Sequence, residues 1–301
     1  MSRRAICAVI ILLGVSLLVA GCLQSAGDSG THSSKSVVIG AMPFNEQYIL
    51  SEMLAILLEQ EGFDVEVRSG LQNSVLYEGV KGGQVDAYVE YTSAALFLVP
   101  NGTKPDSFDT DAVFEAVRRG TEADGVMLVG RTGFRNDNQV AVPSAWAAAR
   151  NVTRLSDLAP YAAEMTFGSD LVFADAEDGL PLLEATYGYR FGDVRRMDPA
   201  LTFEAIRTGQ VDAIVTYTTD GRIDLFNLTV LEDDRGGLPP YEAMLLVTSS
   251  RANDPRFTMA VGKLVGAITS EDMRRMNAAF DSEKRDAQEI AREFLVSRSL
   301  A

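Results

Sequence analysis

The chain has 301 residues, which is more than a single small hydrophobic core usually needs, so two lobes or domains are expected. Its formal net charge is −15 at pH 7, and this acidity excludes a nucleic-acid-binding role, which requires a basic surface. With one histidine and two cysteines, the composition also offers little for histidine- or thiol-based catalysis.

The first residues have the pattern of an export signal. Residues 3–19 contain two arginines followed by a long apolar run, and the small residues Ala20 and Gly21 precede Cys22. This order predicts a signal peptide over residues 1–21 rather than a membrane-spanning helix. Because a cysteine directly after the cleavage point is typical of lipoproteins, we expect Cys22 to be lipid-modified. A plain secretory signal with a chance cysteine is the alternative.

Residues 22–35 are predicted to form a flexible tether, because they are rich in serine and glycine and lack hydrophobic periodicity. A lipid on Cys22 would hold the folded part of the chain in water at the outer face of the cell membrane, so the expected localisation is extracytoplasmic. No later segment is long and apolar enough to span a bilayer.

The remainder of the chain alternates short apolar strands with amphipathic helices. This alternation predicts an α/β fold with mainly parallel sheets covered by helices. Outside the repeat described next, the predicted strands are 37–40, 63–68, 126–129, 139–142, 165–168 and 243–247. The predicted helices are 46–60, 111–120, 155–158, 179–187, 255–268, 270–280 and 286–296.

One stretch of sequence occurs twice. Residues 77–92 match residues 203–218 without a gap, and each copy predicts a helix end, a Gly-Gln turn and a buried strand that ends in Tyr-Thr. Ligands in open α/β sheets bind beyond the carboxyl ends of the strands. We therefore expect Tyr91, followed by Thr92, and Tyr217 to lie at a cleft between two lobes.

The order of the predicted elements also divides the chain into lobes. The three C-terminal helices have no strands to pair with, so we expect them to pack back on the first lobe. The chain would then cross between lobes twice, near residues 135–138 and 239–243. Predicted lobe 1 is residues 36–136 plus 243–301, and predicted lobe 2 is residues 137–242. Two crossings make a hinge, and hinge closure around a ligand is common in exported binding proteins.

Tyrosine is the residue type that points to a ligand. Tyr241 follows Pro239 and Pro240, which stiffen the backbone at the second crossing. Three tyrosine rings at residues 91, 217 and 241 around one cleft would suit an organic cation, since a cation is attracted to the face of an aromatic ring. Half-buried packing tyrosines with solvated hydroxyl groups are the alternative interpretation.

An enzyme is not expected. The only histidine, His32, lies in the predicted tether, and no Gly-rich phosphate loop or dinucleotide fingerprint stands between a strand and a helix. The sequence therefore predicts no metal site and no cofactor. Catalysis by carboxylates alone is the alternative, but abundant Asp and Glu do not by themselves form an active site.

Several motifs in order resemble those of a known family. They are residues 40–50, 88–92, 167–170, 178–181, 217–222, 231–234 and 238–241. The chain from about residue 37 to its end resembles the glycine betaine/choline (osmoprotectant) substrate-binding proteins of ABC importers. The resemblance implies a type II periplasmic-binding-protein fold, an importer permease with its ATPase as partners, and tyrosines at positions 91, 217 and 241 in an aromatic box around a trimethylammonium group.

The chain departs from the betaine binders of that family at five positions. It has Met42 where they have a lysine, Asn136 where they have an aspartate, and Asn138 where they add a tyrosine; Val172 and Ala176 replace a glutamate and an arginine. Without the lysine and the arginine, a betaine carboxylate lacks its charge-assisted hydrogen bonds. We therefore expect either betaine held more loosely or a solute without the carboxylate, such as choline.

Other interpretations stay open at this point. A chemically different compatible solute is possible for the same cleft, and a sensor of the same fold could signal the ligand without transport. The Asn-x-Thr sequons at Asn101, Asn151 and Asn227 are interpreted as chance matches to a glycosylation motif.

Overall fold

The computed structural model describes residues 35–99 and 108–301. Val37–Ala301 forms one compact unit, and the other unit, Met1–Ser36, contributes only its last two residues to the described part. The predicted signal peptide, the lipidation site Cys22, His32 and the sequon at Asn101 lie outside the described residues. Within those residues, no helix combines the length and the apolar character that crossing a bilayer requires.

The strands form two sheets, which define two lobes. Lobe 1 contains the sheet with strand order β2-β1-β3-β10-β4, and lobe 2 contains the sheet with order β7-β6-β8-β5-β9. The strands are β1 (Ser36–Gly40), β2 (Asp64–Arg68), β3 (Ala87–Tyr91), β4 (Val126–Arg135), β5 (Asn138–Pro143), β6 (Thr166–Ser169), β7 (Asp193–Arg196), β8 (Ala213–Tyr217), β9 (Leu228–Val230) and β10 (Glu242–Thr248).

Both sheets are mixed, which corrects the expectation of mainly parallel sheets. The pairs β1–β3, β6–β7 and β6–β8 are parallel, whereas β10 is antiparallel to β3 and β4, and β5 is antiparallel to β8 and β9. The antiparallel strands β5 and β10 are those that enter a lobe from the other lobe. Each of them begins at the hinge end of its sheet, so it is antiparallel to the neighbouring strand that ends there.

Helices cover these sheets. They are α1 (Asn45–Gln60), α2 (Asn73–Lys81), α3 (Thr92–Ala95), α4 (Thr110–Ala123), α5 (Ser144–Arg150), α6 (Leu171–Asp175), α7 (Leu180–Tyr187), α8 (Pro199–Arg207), α9 (Arg222–Leu225), α10 (Ser249–Ala252), α11 (Pro255–Gly262), α12 (Ser270–Asp281) and α13 (Ala287–Ser297). Two short 3-10 turns are Leu155–Leu158 and Ala162–Glu164. The C-terminal helices α11, α12 and α13 pack against α1.

The sequence repeat is also a structural repeat. Gly83 and Gly209 both have positive φ, +74° and +70°, which a glycine adopts without strain at the turn before the strand. Asp86 then accepts a hydrogen bond from Val38 N at 2.7 Å, and Asp212 accepts one from Thr166 N at 2.8 Å. The same helix–turn–strand unit is therefore joined to its neighbouring strand in the same way in each lobe.

Each lobe has its own core. In lobe 1 one cluster joins the sheet to α1 and the C-terminal helices. In lobe 2 the alternation of β5 places Val140 and Val142 in one cluster and Ala141 in another, so both faces of that sheet are covered. The lobes are thus separately built units.

The two crossings lie side by side. β4 ends at Arg135, β5 begins at Asn138, and the second crossing enters β10 at Glu242. Asn136 N donates to Tyr241 O at 2.9 Å, and Tyr241 N donates to Asp137 Oδ1 at 2.6 Å. These bonds join the first crossing to the second, so the backbone of Tyr241 is held at the hinge.

Candidate functional site

Tyr217 lies at the carboxyl end of β8, where it pairs with Asn138 at the start of β5. Its side chain is 50 % exposed, although its strand is otherwise buried. Since side chains alternate along a strand, Tyr217 faces one side of the sheet end and Thr218 faces the other. The ring is therefore available to a ligand on one side of the hinge.

Tyr217 and Tyr241 share a small cavity. Its volume is about 100 Å³. The lining residues come from the start of β5, the end of β8, the residue after β6, helix α6 with the turn that follows it, and the second crossing: Asn138, Asp170, Val172, Phe173, Ala176, Asp178, Gly179, Tyr217, Pro239 and Tyr241. A space of this size suits a small solute.

The position of Tyr241 is set by hydrogen bonds to the backbone around it. Besides the bonds from the first crossing, Thr92 Oγ1 and Ser93 Oγ each donate to Pro240 O at 2.7 Å. Thr92 Oγ1 also accepts a bond from Glu242 N at 3.1 Å. Burial, together with the nearby Asp178 carboxylate, raises the pKa of Tyr241 to about 12, so its hydroxyl group stays protonated.

The charge of the cavity is negative. Asp170 and Asp178 line it, and among the described residues its lining includes no lysine or arginine. Arg222 lies beside the neighbouring recess, but its guanidinium group is bonded to Asp220 at 2.7 and 3.0 Å. Asp170 also accepts a bond from Phe173 N at 2.9 Å, which caps α6. Two carboxylates and two tyrosine rings thus surround a space with no compensating cation.

Tyr91 is placed differently from its repeat partner. Its side chain is only 5 % exposed and does not line the cavity. Its hydroxyl group donates to Glu46 and accepts a bond from Gln47 Nε2 at 3.3 Å. Burial and the adjacent Glu46 carboxylate raise the pKa of Tyr91 well above its usual value. Glu46 and Gln47 in the first turn of α1 thus hold this hydroxyl group.

The other predicted site residues fall into two groups. Asn138 lines the cavity with Tyr217 and Tyr241, and so do Val172 and Ala176. Thr92, Asn136 and Met42 do not line it: Thr92 and Asn136 bond to the hinge, and Met42 is buried with 7 % exposure in the core of lobe 1. The roles of these residues in ligand binding stay predictions.

A larger groove, about 780 Å³, lies on the opposite side of the crossings. Thr218 and Gln139, the strand neighbours of Tyr217 and Asn138, line it. Its charged groups are partly paired, as Arg135 and Asp137 are at 2.7 Å, and Asp137 also holds Tyr241 N. Because neither tyrosine lines this groove, we place the candidate site in the smaller cavity.

The sequence argument missed four acidic and amide residues near the hinge. Asp170 and Asp178 line the cavity, while Asn277 Nδ2 donates to Glu46 at 3.1 Å outside that lining. Asp170 could have been found, because it directly follows a strand end, where ligands of α/β sheets bind. Glu46 and Asn277 lie far apart in sequence, and no local pattern indicates their contact.

A family model described as the substrate binding domain of ABC-type glycine betaine transport systems matches residues 35–297, nearly the whole chain. The chain belongs to this family. Members are solute-binding proteins of ABC transporters that work outside the cytoplasm, and the family is not one of enzymes. The small-molecule ligand and the permease partner of this protein follow from that membership.

Individual relatives agree with the family. The chain is 31 % identical over 288 residues to a glycine-betaine-binding protein of Pseudomonas aeruginosa, covering 91 % of this chain and 92 % of that protein. It is 29 % identical over 291 residues to the carnitine transport binding protein OpuCC of Listeria monocytogenes, covering 95 % and 94 %.

Solved structures give the same architecture. A structure described as a glycine betaine/carnitine/choline ABC transporter matches with a TM-score of 0.82 at 26 % identity and covers 88 % of this chain and 99 % of that one. Apo YehZ from Escherichia coli matches with a TM-score of 0.79 at 22 % identity, covers 89 % and 100 %, and supports the fold. The expected type II periplasmic-binding-protein fold is confirmed.

In the described part of the chain, no group of three or more His, Cys, Asp or Glu side chains is placed to hold a metal ion.

Proposed function

We propose that this substrate-binding protein captures a small quaternary-ammonium solute between its two lobes, for uptake by an ABC permease and its ATPase. The preferred ligand is a cation without a carboxylate, of the choline type, rather than glycine betaine. The observation that supports this proposal most strongly is the cavity lined by Tyr217, Tyr241, Asp170 and Asp178.

The two rings supply the attraction for the trimethylammonium group. A cation over a tyrosine face is worth about 0.5–2 kcal/mol, with the larger values where water is excluded. Tyr241 is partly buried and held by both crossings, so its ring is ordered before the ligand arrives. Such preorganisation reduces the entropy that binding would otherwise lose.

The carboxylates decide between the two ligand types. Asp170 and Asp178 favour a net positive charge, whereas the carboxylate of betaine would meet like charges and find no lysine or arginine among the described lining residues. Val172 and Ala176 line the cavity without offering a charge or a side-chain hydrogen bond to that group. Choline has a hydroxyl group in place of the carboxylate, so it avoids both the repulsion from the two aspartates and the loss of a cationic partner.

Calorimetric titration of the wild-type protein with choline, glycine betaine and carnitine tests this proposal. We expect choline to bind at least tenfold more tightly than betaine, which corresponds to about 1.4 kcal/mol. Tighter binding of betaine would overturn the choline preference and leave a betaine receptor. No heat from any of the three solutes would overturn the quaternary-ammonium assignment.

The same proposal divides the chain at the crossings, with lobe 1 at residues 36–136 plus 243–301 and lobe 2 at residues 137–242. This division is supported by the two sheets and by the helices α11–α13, which pack on α1. Ligand capture would then close lobe 2 onto lobe 1 about the paired crossings.

We also propose that lipid on Cys22 anchors the protein to the outer face of the cell membrane. The proposal is supported by the apolar run and small residues before Cys22. Cys22→Ala should move the protein from the membrane fraction to the soluble exported fraction, and mass spectrometry should find a diacylglyceryl group only on wild type. An unmodified Cys22 in a membrane fraction would contradict the anchor.

A further inference from the structure

Glu46 is a buried carboxylate at the hinge, and no basic side chain within residues 35–99 and 108–301 is paired with it. It lies in the first turn of α1 and is 1 % exposed. It accepts hydrogen bonds from the Tyr91 hydroxyl group, from Asn136 Nδ2 at 3.2 Å and from Asn277 Nδ2 at 3.1 Å. A charged group buried this fully is usually paired with an opposite charge, so its lack of one requires an explanation.

The groups that bond to Glu46 belong to separate parts of the molecule. Tyr91 ends β3 and Asn277 lies in α12, both in lobe 1, whereas Asn136 lies in the first crossing. The same Asn277 amide donates to Thr219 O at 2.9 Å, and Thr219 Oγ1 donates to Asn136 Oδ1 at 2.8 Å. Glu46 is thus the common acceptor of a network that extends from lobe 1 to the segment after β8.

This network leads directly to both cavity tyrosines. Asn136 bonds to Glu46 through its side chain and to Tyr241 O through its backbone N–H, at 2.9 Å. Thr219 lies two residues after Tyr217, and its main-chain carbonyl and side chain are both held. Displacing Glu46 would therefore release the backbone next to each ring, although Glu46 does not line the cavity.

The packing between the lobes at this point is close. A Cβ atom added to Gly221 would lie 2.6 Å from Ala278 N, so the chain after Thr219 runs against α12 with no spare room. The segment that carries Thr219 is therefore in direct contact with α12, the helix that also carries Asn277.

We infer that Glu46 is a positioning residue for ligand capture, which sets the relative placement of Tyr217 and Tyr241 through Asn136, Asn277 and Thr219. The inference rests on the proposed function, because it assigns Glu46 a role at the same cavity.

The ionised form of Glu46 is the one that the network fits. All three neighbours present donors, and a protonated carboxyl group would have to give up one of them. Burial raises the pKa of Glu46, while hydrogen bonds from Tyr91, Thr219, Asn277 and Asn136 oppose that rise.

In the part of the chain that the structure describes, the elements packed around Glu46 offer it no compensating positive charge. On its own helix the neighbour is Gln47, and α12 presents Asn277. On β3 the Glu90 carboxylate bonds to Tyr88 and to Tyr91 N. At the crossing Asp137 is paired with Arg135, and in lobe 2 Asp220 is paired with Arg222. Protonation of Glu46 on acidification should therefore weaken ligand binding. This pH dependence should be absent from a variant in which residue 46 carries no charge.

The test uses Glu46→Gln in the full chain, with Glu90→Gln as the matched control. Glu90 is equally buried and forms no salt bridge with any residue that the structure describes, but its two hydrogen bonds stay within β3. In Glu46→Gln the new NH2 group replaces one carboxylate oxygen and meets a donor at either position, Asn277 Nδ2 or Asn136 Nδ2. We therefore expect Glu46→Gln to bind choline at least tenfold more weakly at pH 8, and Glu90→Gln to stay within about twofold of wild type.

The pH profile of choline affinity separates positioning from simple loss of stability. Wild type and Glu90→Gln should lose affinity as the pH falls from 8 to 5, whereas Glu46→Gln should give a flatter profile. Glu46→Asp, which keeps the charge on a shorter side chain, should restore part of the affinity. If Glu46→Gln does not fold, Thr219→Val tests the network instead. This variant removes the hydrogen bond to Asn136 Oδ1 and should weaken choline binding several-fold.

The outcomes separate the two proposals. If wild type binds choline and Glu46→Gln has the same affinity and pH profile as wild type, the role of Glu46 is overturned alone. The same conclusion follows if a folded Thr219→Val binds choline with wild-type affinity. Failure of the wild type to bind any quaternary-ammonium solute overturns the proposed function and this role together.

Discussion

Glu90 is a second buried carboxylate in lobe 1, and its environment makes stability depend on pH. It is 0 % exposed and accepts bonds from the Tyr88 hydroxyl group at 2.9 Å and from Tyr91 N at 2.8 Å. Burial raises the pKa of Glu90 to about 7, and the two bonds only partly oppose this. The folded protein therefore holds a proton on Glu90 at pH values where the unfolded chain has lost it.

Glu90→Gln should remove this pH dependence. In wild type the raised pKa makes folding progressively less favourable as the pH rises from about 4.5 to about 7, by at most about 3 kcal/mol. Since glutamine does not titrate, the free energy of unfolding of the variant relative to wild type should increase over that range. Urea unfolding at pH 5 and pH 8 measures the difference.

The exposed Glu283→Gln is the control for that experiment, because the same chemical change at the surface should leave the pH dependence of wild type intact. If the free energy of unfolding differs between Glu90→Gln and wild type by the same amount at both pH values, Glu90 does not titrate in this range.

At the level of single residues, the repeat predicted the strand-end positions of Tyr91 and Tyr217 but not their environments. Both tyrosines end equivalent strands. However, α1 brings Glu46 and Gln47 onto the Tyr91 hydroxyl group, whereas the Tyr217 ring is left half exposed. Neighbours supplied by a distant helix are tertiary contacts, which a local sequence match does not contain.

At the level of elements, strongly periodic segments were predicted well and short polar ones were missed. The helix at 46–60 and the strand at 139–142 are found within a residue or two, because their buried faces are continuous. The strand β7 has the sequence Asp-Val-Arg-Arg and is mostly exposed, and β9 has three residues. β7 and β9 are strands because they pair with β6 and β5, and their sequences contain no hydrophobic pattern that predicts a strand.

Two further elements differ in length for identifiable reasons. The predicted strand 126–129 extends to Arg135, because β10 pairs with it along its whole length despite two irregularities in register. The predicted helix 255–268 ends at Gly262, after which turns lead to Ile268, whose N–H donates to Thr132 O at 3.1 Å. In both cases a tertiary partner determines where the element ends.

For the whole molecule, the arrangement of two lobes and two crossings followed from the order of strands and helices. The crossings near 135–138 and 239–243 are where the chain passes between the sheets. The hydrogen bonds between them, and the network around Glu46, could not be predicted, since their members are separated by up to 231 residues. The two-lobe architecture was thus predictable from the sequence, whereas the hydrogen bonds at the crossings required the structure, and the exact lobe boundaries stay a proposal.

The central claim is that Tyr217 helps to hold a cation in the cleft through its ring. The most direct test is the choline affinity of Tyr217→Ala compared with that of Tyr217→Phe, measured by calorimetry on folded full-length protein. Loss of one ring face should cost about 1.4 kcal/mol, so alanine should weaken binding about tenfold, while phenylalanine keeps the ring and should stay within about threefold of wild type. Equal affinities of Tyr217→Ala and wild type would contradict the account.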